Sequence, residues 1–452
     1  MAETYIGTLG NDTLTPGTGG DFLFGDMDGA LASKGGNDFL TATGDRNRLS
    51  GDAAEITDAG RGGNDSLTAT GINNFLFGDA SGGLSGNARG GNDMLSVSGH
   101  ANQLFGDAGV DFDLSGNARG GNDVLSATGN SNAFYGDASR SLLNNAVGGN
   151  DVLDALGNRN EMFGDAHIDL SRDARGGNDV LSATGDDNIL VGDVGATMTG
   201  SGGNDTLIAS GNRNLLDGDT FLMVESARGG NDVLNASGNE NQLIGDAVSI
   251  RDTGRGGNDS LTATGHDNSL FGDAGPISSG FGEMSGNARG GNDVLTVISE
   301  SDQSNYLYGD TRTMSGNAVG GNDTLIGGAG NDLIVGDALV MLDNAKGGSD
   351  QFWGDAKGAA AGGADTFWFA GNFGKDVVND FRPGEGDKLK FNGYGAALTV
   401  DDVLDHASVV GGNTVIDIGA ALDGPAKVNT ITLLKFTGLG QDDILVTNDP
   451  AF

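Results

Sequence analysis

The chain lacks cysteine altogether, so neither disulfides nor thiolate metal sites can hold it together. It has 5 prolines in 452 residues and only 4 histidines. No apolar run approaches the ~18 residues of a membrane-spanning helix. The opening segment MAETYIGTLGNDTL has no basic stretch and no apolar core, so no Sec-type signal peptide is expected. Lysine and arginine total 24 against 63 acidic residues, and the sequence offers no basic patch. That argues against a nucleic-acid partner, and an anionic membrane surface would repel the chain. Glutamate is also scarce, at 8 of the 63 acids; the other 55 are aspartate. Asp belongs in turns and loops rather than on solvated helix faces. With a formal charge of −39, divalent cations are the natural partners.

What is abundant is glycine, 84 residues, and it recurs in a fixed frame. Residues 62–80 read GGNDSLTATGINNFLFGDA, and variants of this text fill most of the chain. The Asp of each Gly-Gly-Asn-Asp falls at Asp38, Asp65, Asp93, Asp123, Asp151, Asp179, Asp205, Asp232, Asp259, Asp293 and Asp323, with Asp12 in a variant before them and Asp350 after. A second column follows the first in a Gly-Asp pair: Asp26, Asp52, Asp79, Asp107, Asp137, Asp165, Asp193, Asp219, Asp246, Asp273, Asp310 and Asp337. The interval from first column to second hardly changes, being the same from Asp38 to Asp52, from Asp65 to Asp79 and from Asp259 to Asp273. The variation in length falls after the Gly-Asp, in the link to the next copy. A third column is asparagine, from Asn47 and Asn74 to Asn268, with Asp21 and Asp332 in the same place at its two ends. Aliphatic residues such as Ile56, Leu84 and Leu114 lie nine before the first Asp. The repeating unit is therefore roughly 27 residues long, in three blocks of about nine, a period typical of stacked-repeat folds.

Each block reads as a short strand between glycine turns. In SLTAT (66–70), Leu67 and Ala69 alternate with Ser66, Thr68 and Thr70, one face inward and one outward. So small a unit cannot bury a core alone, but stacked copies can. The expected fold is all-β: a parallel β-solenoid, of β-roll or β-helix type, over residues 1–362. From about 363 the repeat stops, lysine becomes common (Lys375, Lys388, Lys390, Lys427, Lys435), and a C-terminal β capping domain is expected over 363–452. The length of the unit favours three-sided coils, and two-sided coils also fit.

At 327–335 the degeneracy drops to GGAGNDLIV, which matches Gly-Gly-x-Gly-x-Asp-x-apolar-x. This resembles the calcium-binding repeats of RTX (hemolysin-type) proteins. GGADTFWFAGNFGKDVVNDFRPGEGDKLKF (362–391), GGNTVIDIG (411–419) and DDILVTNDPAF (442–452) are similar to the C-terminal module of RTX proteins exported by type I secretion. The resemblance implies Ca²⁺ on the Asp columns and on Asp21 and Asp332 at the ends of the Asn column, with Asp365, Asp380 and Asp387 binding calcium or capping the solenoid. It also implies an uncleaved C-terminal export signal read by type I secretion machinery, and an extracellular or cell-surface protein that folds on meeting calcium. Ca²⁺ takes six to eight oxygens, glycine turns expose carbonyls, and Asp supplies charge. Asn also ladders without any metal, and that is the expectation for the Asn column.

Enzyme signatures are absent from the text. There is no His-Glu-x-x-His and no Gly-x-Ser-x-Gly, and His100, His167, His266 and His406 are isolated. Segment 274–309, with Glu283, Arg289, Tyr306 and Tyr308, is the place where a polysaccharide lyase or epimerase site could be built. Outward Ser/Thr columns (Thr41, Thr68, Ser96, Ser126; Thr43, Thr70, Ser98, Thr128) could order water as in ice-binding solenoids, although Asp154, Leu156, Ile208 and Asn235 interrupt them. The expected role is structural, adhesive or matrix-forming rather than catalytic, with a surface polysaccharide or another copy of the chain as partner.

Overall fold

Inward Leu and Ala at every second strand position, stacked coil on coil, decide the architecture. The computed structural model describes residues 3–448 apart from 16–18, 277–281, 300–302, 360, 423 and 425–427. Lys427 and parts of segments 274–309 and 442–452 therefore lie outside the described residues. The chain forms parallel β-solenoid coils, about 13 turns with a ~27-residue repeat. They divide into two compact units, one of residues 1–222 with 226–230, the other of 223–225 with 231–452.

In the first unit each coil contributes to three parallel sheets, so the coils are three-sided. The first sheet holds five-residue strands: Phe39–Thr43, Ser66–Thr70, Met94–Ser98, Val124–Thr128, Val152–Leu156, Val180–Thr184 and Thr206–Ser210. They pair without slippage, Leu40 opposite Leu67, Leu67 opposite Leu95, and on to Leu207. These leucines are fully buried, each worth ~1.5–3 kcal/mol. The same register lines up Thr41, Thr68, Ser96 and Ser126 on the outer face, until Asp154 and Ile208 interrupt the column.

The second sheet has three-residue strands, from Phe22–Phe24 through Phe75–Phe77 to Leu215–Asp217. Within it Phe77, Phe105, Tyr135 and Phe163 stack with centroids 5.1, 4.8 and 5.6 Å apart. The third face is thinner. It carries the aliphatic column Ile56, Leu84, Leu114, Leu142, bridged in parallel and fully buried.

The second unit repeats this plan, with five-residue strands from Val233–Ser237 to Gln351–Asp355. Its short-strand sheet does not stop where the sequence repeat stops. Thr366–Ala370 stacks on Leu333–Val335, Lys388–Asn392 on that, and Ile444–Thr447 on that in turn. The end is made by antiparallel strands Ala407–Val410, Asn413–Asp417 and Thr430–Leu433. A short helix, Val400–Asp405, is closed by a capping box between Thr399 and Asp402. Phe367, Phe369, Phe373 and Phe391 fill this region where Leu and Ala filled the coils.

The glycines of Gly-Gly-Asn-Asp are required by contact between coils. A Cβ placed on Gly63 would lie 1.4 Å from the carbonyl oxygen of Gly36 one coil away. Neither backbone can yield without breaking the ladder. Gly63→Ala is expected to cost on the order of 3 kcal/mol, whereas Gly384→Ala, with open space around it, is expected to be near neutral. Chemical denaturation of the two variants checks the contrast.

Candidate metal centre

The Gly-Gly-Asn-Asp carboxylates point inward and form a file. The backbone N–H of Asp12 donates to Oδ1 of Asp38 (2.6 Å), that of Asp38 to Asp65 (2.6 Å), and that of Asp65 to Asp93 (2.7 Å). The pattern continues at 2.7 Å through Asp123, Asp151, Asp179 and Asp205. In the second unit it links Asp232, Asp259, Asp293, Asp323 and Asp350 at 2.7–2.8 Å. Asp350 then donates to Asp376 at 3.0 Å. One oxygen of each carboxylate is thus spent on the ladder. The other, Oδ2, is buried without a hydrogen-bond partner at Asp38, Asp65, Asp93, Asp123, Asp151, Asp179, Asp259, Asp293, Asp323 and Asp350. Leaving a charged acceptor buried and unsatisfied is costly, and here the cost recurs at these ten positions.

The Gly-Asp carboxylates form a second file that reaches the same turns. Both oxygens of Asp52 accept from the N–H of Gly63 (3.1 and 2.9 Å), and those of Asp79 from Gly91 (3.0 Å each). Asp26, Asp107, Asp137, Asp165, Asp193 and Asp219 do likewise with the glycine of their own coil. In the second unit Asp246, Asp273, Asp310 and Asp337 accept through Oδ1, at 2.6–2.7 Å. Oδ2 of Asp246, Asp273 and Asp310 then has no partner. The two files meet at glycines that leave room for them. A Cβ on Gly51 would stand 1.8 Å from the Gly78 carbonyl oxygen and 2.1 Å from Asp65 Oδ2; one on Gly62 would stand 1.5 Å from Asp79 Oδ1. Bare carbonyls and carboxylate oxygens therefore converge around each turn.

Charge makes this arrangement untenable for carboxylates alone. Thirty-one aspartates are buried, and no lysine or arginine is buried among the described residues. Taken from the formal −39, they leave −8 for the rest of the chain. Neighbouring carboxylates one strand spacing apart repel by about 3.5 kcal/mol at an effective permittivity of ~20. Burial, then the charges of neighbouring carboxylates, pushes Asp52 and Asp65 up to about 9. Burial lifts Asp38 and Asp350 to about 7. For the fully enclosed Asp79, Asp93, Asp123 and Asp151 the same causes act more strongly, well above the usual carboxylate range.

The asparagine column is a separate, neutral ladder. The backbone N–H and Nδ2 of Asn47 both donate to Oδ1 of Asn74 (2.9 and 3.0 Å), and the pattern recurs through Asn102, Asn132, Asn160 and Asn188. Asp21 begins it by donating its N–H to Asn47. At the other end carboxylates return: Asn305 donates to Asp332, Asp332 to Asp365 and Asp365 to Asp387, at 2.8–3.0 Å. Asp332, Asp365 and Asp387 therefore extend the Asn ladder and are not part of the first file. Oδ2 of Asp332 and of Asp365 is buried without a partner. Burial lifts Asp332 and Asp387 to about 7 and Asp365 to about 9. Asp380 accepts from the N–H groups of Gly354 and Asp355, and Arg382 is ion-paired with Asp355.

Three members escaped the sequence reading. Asp376 has no Gly-Gly-Asn before it, and only its spacing from Asp350, close to one repeat, marks it. Asp355 is a Gly-Asp aspartate hidden by the preceding Trp353. Asn305 is displaced by the extra residues of its coil. Of the residues considered for a lyase, Glu283 is ion-paired with Arg251 at 2.7 Å, while Tyr308 stacks on Phe271 in a different sheet with centroids 4.5 Å apart. The four histidines lie in separate turns or ends of elements.

Among the described residues, no group of three or more His, Cys, Asp or Glu side chains is already gathered in metal-ligand geometry. No helix among the described residues is long and apolar enough to cross a membrane. No protein-family model matches the chain, and comparison with curated proteins finds no relative.

Proposed function

We propose that this is a calcium-binding repeat protein whose solenoid folds when cations enter its carboxylate files. One observation carries the reading: fully buried aspartates, recurring once per coil, each keep one carboxylate oxygen without any partner beside bare glycine carbonyls. A neutral ladder does not need such oxygens, as the asparagine column of the same coils demonstrates. The donor set, carboxylate and carbonyl oxygen without nitrogen or sulfur, suits a hard cation; the lack of a fixed shape suits Ca²⁺ more than Mg²⁺. Asp38, Asp65, Asp93 and their equivalents would hold the ion together with the Gly-Asp carboxylates. A bound ion would supply the positive charge that the interior lacks.

Binding to the folded state alone drives folding by mass action. In a low-calcium cytosol the chain would stay unfolded and threadable. Outside, calcium would fold it. The resemblance of 320–452 to exported RTX proteins supports type I secretion and a structural or adhesive role at or beyond the cell surface.

The test is a Ca²⁺ titration of chelator-treated protein at pH 7.5, followed by far-UV circular dichroism, with Mg²⁺ as control. The expected result is a cooperative coil-to-β transition at lower Ca²⁺ than Mg²⁺ concentration. A full β spectrum in chelator, unmoved by Ca²⁺, would overturn the proposal.

A further inference from the structure

The basic residues that look scattered along the sequence are brought into line by the coils. In the first unit Lys34 bridges in parallel to Arg61, Arg61 to Arg89, and Arg89 to Arg119; after Val147 the file resumes at Arg175, and after Ser201 at Arg228. All six cations are exposed. Their backbones are fixed: the N–H of Gly35 donates to Arg61 O at 2.8 Å, that of Gly62 to Arg89 O and that of Gly90 to Arg119 O, each at 2.9 Å. None of the six forms an ion pair among the described residues. Asp58 and Asp173 share their turns without pairing with them. The chain therefore does have a basic patch, one residue wide, which the sequence order concealed.

Like charges held one strand spacing apart, ~4.8 Å, gain from an anionic polymer laid along them. The flanks indicate its chemistry. Asn117 Nδ2 donates to Asn87 Oδ1 and Asn145 Nδ2 to Asn117 Oδ1, at 3.0 and 3.1 Å. On the other flank the N–H of Asn92 donates to Asn64 Oδ1 at 3.2 Å, and that of Asn122 to Asn92 at 3.0 Å. An exposed carboxamide has two donor hydrogens and two acceptor lone pairs, so these ladders leave capacity facing outward for hydroxyl groups. No aromatic residue lies in the turns 57–64, 85–92 or 115–122, so there is no platform for stacking bases. We propose that this Arg file, between its two Asn ladders, binds a linear acidic polysaccharide: guanidinium groups to carboxylates on successive sugars, amides to their hydroxyls.

The probe is an end-labelled oligogalacturonate, read by fluorescence anisotropy against the full folded chain after excess calcium is removed by desalting. A neutral xylo-oligosaccharide and a single-stranded oligonucleotide of equal charge serve as competitors. Saturable binding that weakens with salt is expected, displaced by neither competitor. The triple substitution Arg61→Gln, Arg89→Gln, Arg119→Gln should weaken it about tenfold with an unchanged β spectrum. The corresponding Arg→Lys triple should keep most of it, which separates lost charge from lost fold. Absence of saturable binding, a Gln triple that binds like the parent, or tighter binding of the oligonucleotide would overturn the proposal.

Discussion

In chelator, the chain is expected to hold its β structure at pH 4 and to lose it as the pH is raised toward 8, where calcium should restore it. The direction is the reverse of ordinary acid denaturation, in which paired carboxylates stabilise the fold at neutral pH. Here burial raises the carboxyls in the folded state from 3.8 to about 7 at Asp38, Asp332, Asp350 and Asp387, and to about 9 at Asp52, Asp65 and Asp365. An acid raised on folding contributes stability that is fully present below its unfolded value, near 4, and is lost as the pH rises through its folded value. For Asp350, moved to about 7, that is roughly 4 kcal/mol. A handful of such groups ionising together exceeds the roughly 5–15 kcal/mol by which folded domains are stable. The measurement is a far-UV titration from pH 4 to 8.5 in chelator, repeated in millimolar Ca²⁺. A β signal in chelator that is equal at pH 4 and pH 8 would mean that the interior tolerates its charge by some other means.

On the proposed function, protons and calcium ions would be alternative occupants of the same interior. Either would remove the repulsion between files, and only calcium would be available at neutral pH. This links the composition to the proposed life history. Glutamate would not serve in these files: its longer side chain would carry the carboxylate past the turn, where Asp holds Oδ1 against the backbone of the preceding coil at 2.6–2.8 Å. The scarcity of Glu and the excess of Asp both follow from that distance.

The fold was legible because the physics that makes it is local and repeated. Leu67 and Ala69 alternating between glycines define a strand, and the regular period stacks it on its neighbours. The separation of Asp from Asn columns was also legible, since a charge recurs at Asp65 and its equivalents where an amide recurs at Asn74 and its own. Three things were not. Asp376 lies where the Gly-Gly-Asn signature has decayed, yet the coil it belongs to is still stacked. The sequence boundary near 363 marks a change of core, from Leu and Ala to Phe, and not an end of parallel pairing. The arginine file keeps the same frame as the Asp columns, Arg61, Arg89 and Arg119 each standing directly before Gly-Gly, but one cation per repeat in so acidic a chain becomes a patch only once the coils stack.

Asp93→Asn is expected to change sign with calcium. Asp93 is fully buried; its Oδ1 accepts the N–H of Asp65, and its Oδ2 has no partner. Asparagine is nearly isosteric, keeps the Oδ1 acceptor and removes a charge that Asp52 and Asp107 oppose. A Cβ on Gly78 would lie 2.2 Å from Asp93 Oδ2 and 1.9 Å from the Gly106 carbonyl oxygen, so the new amide has an acceptor at hand. In chelator at pH 8 the variant should therefore be more stable than the parent, by about 2–3 kcal/mol. In calcium it should be less stable by a similar amount, because a charged ligand oxygen is gone. The reverse exchange, Asn102→Asp, puts a charge into a ladder whose amides already satisfy one another, and should destabilise the fold in both conditions. Urea unfolding in calcium, and the pH at which the far-UV β signal is lost in chelator, read the two signs for the three proteins. If Asp93→Asn destabilised equally in both, the carboxylate would be a structural hydrogen-bonding group like Asn102, and the cation file would have to be abandoned.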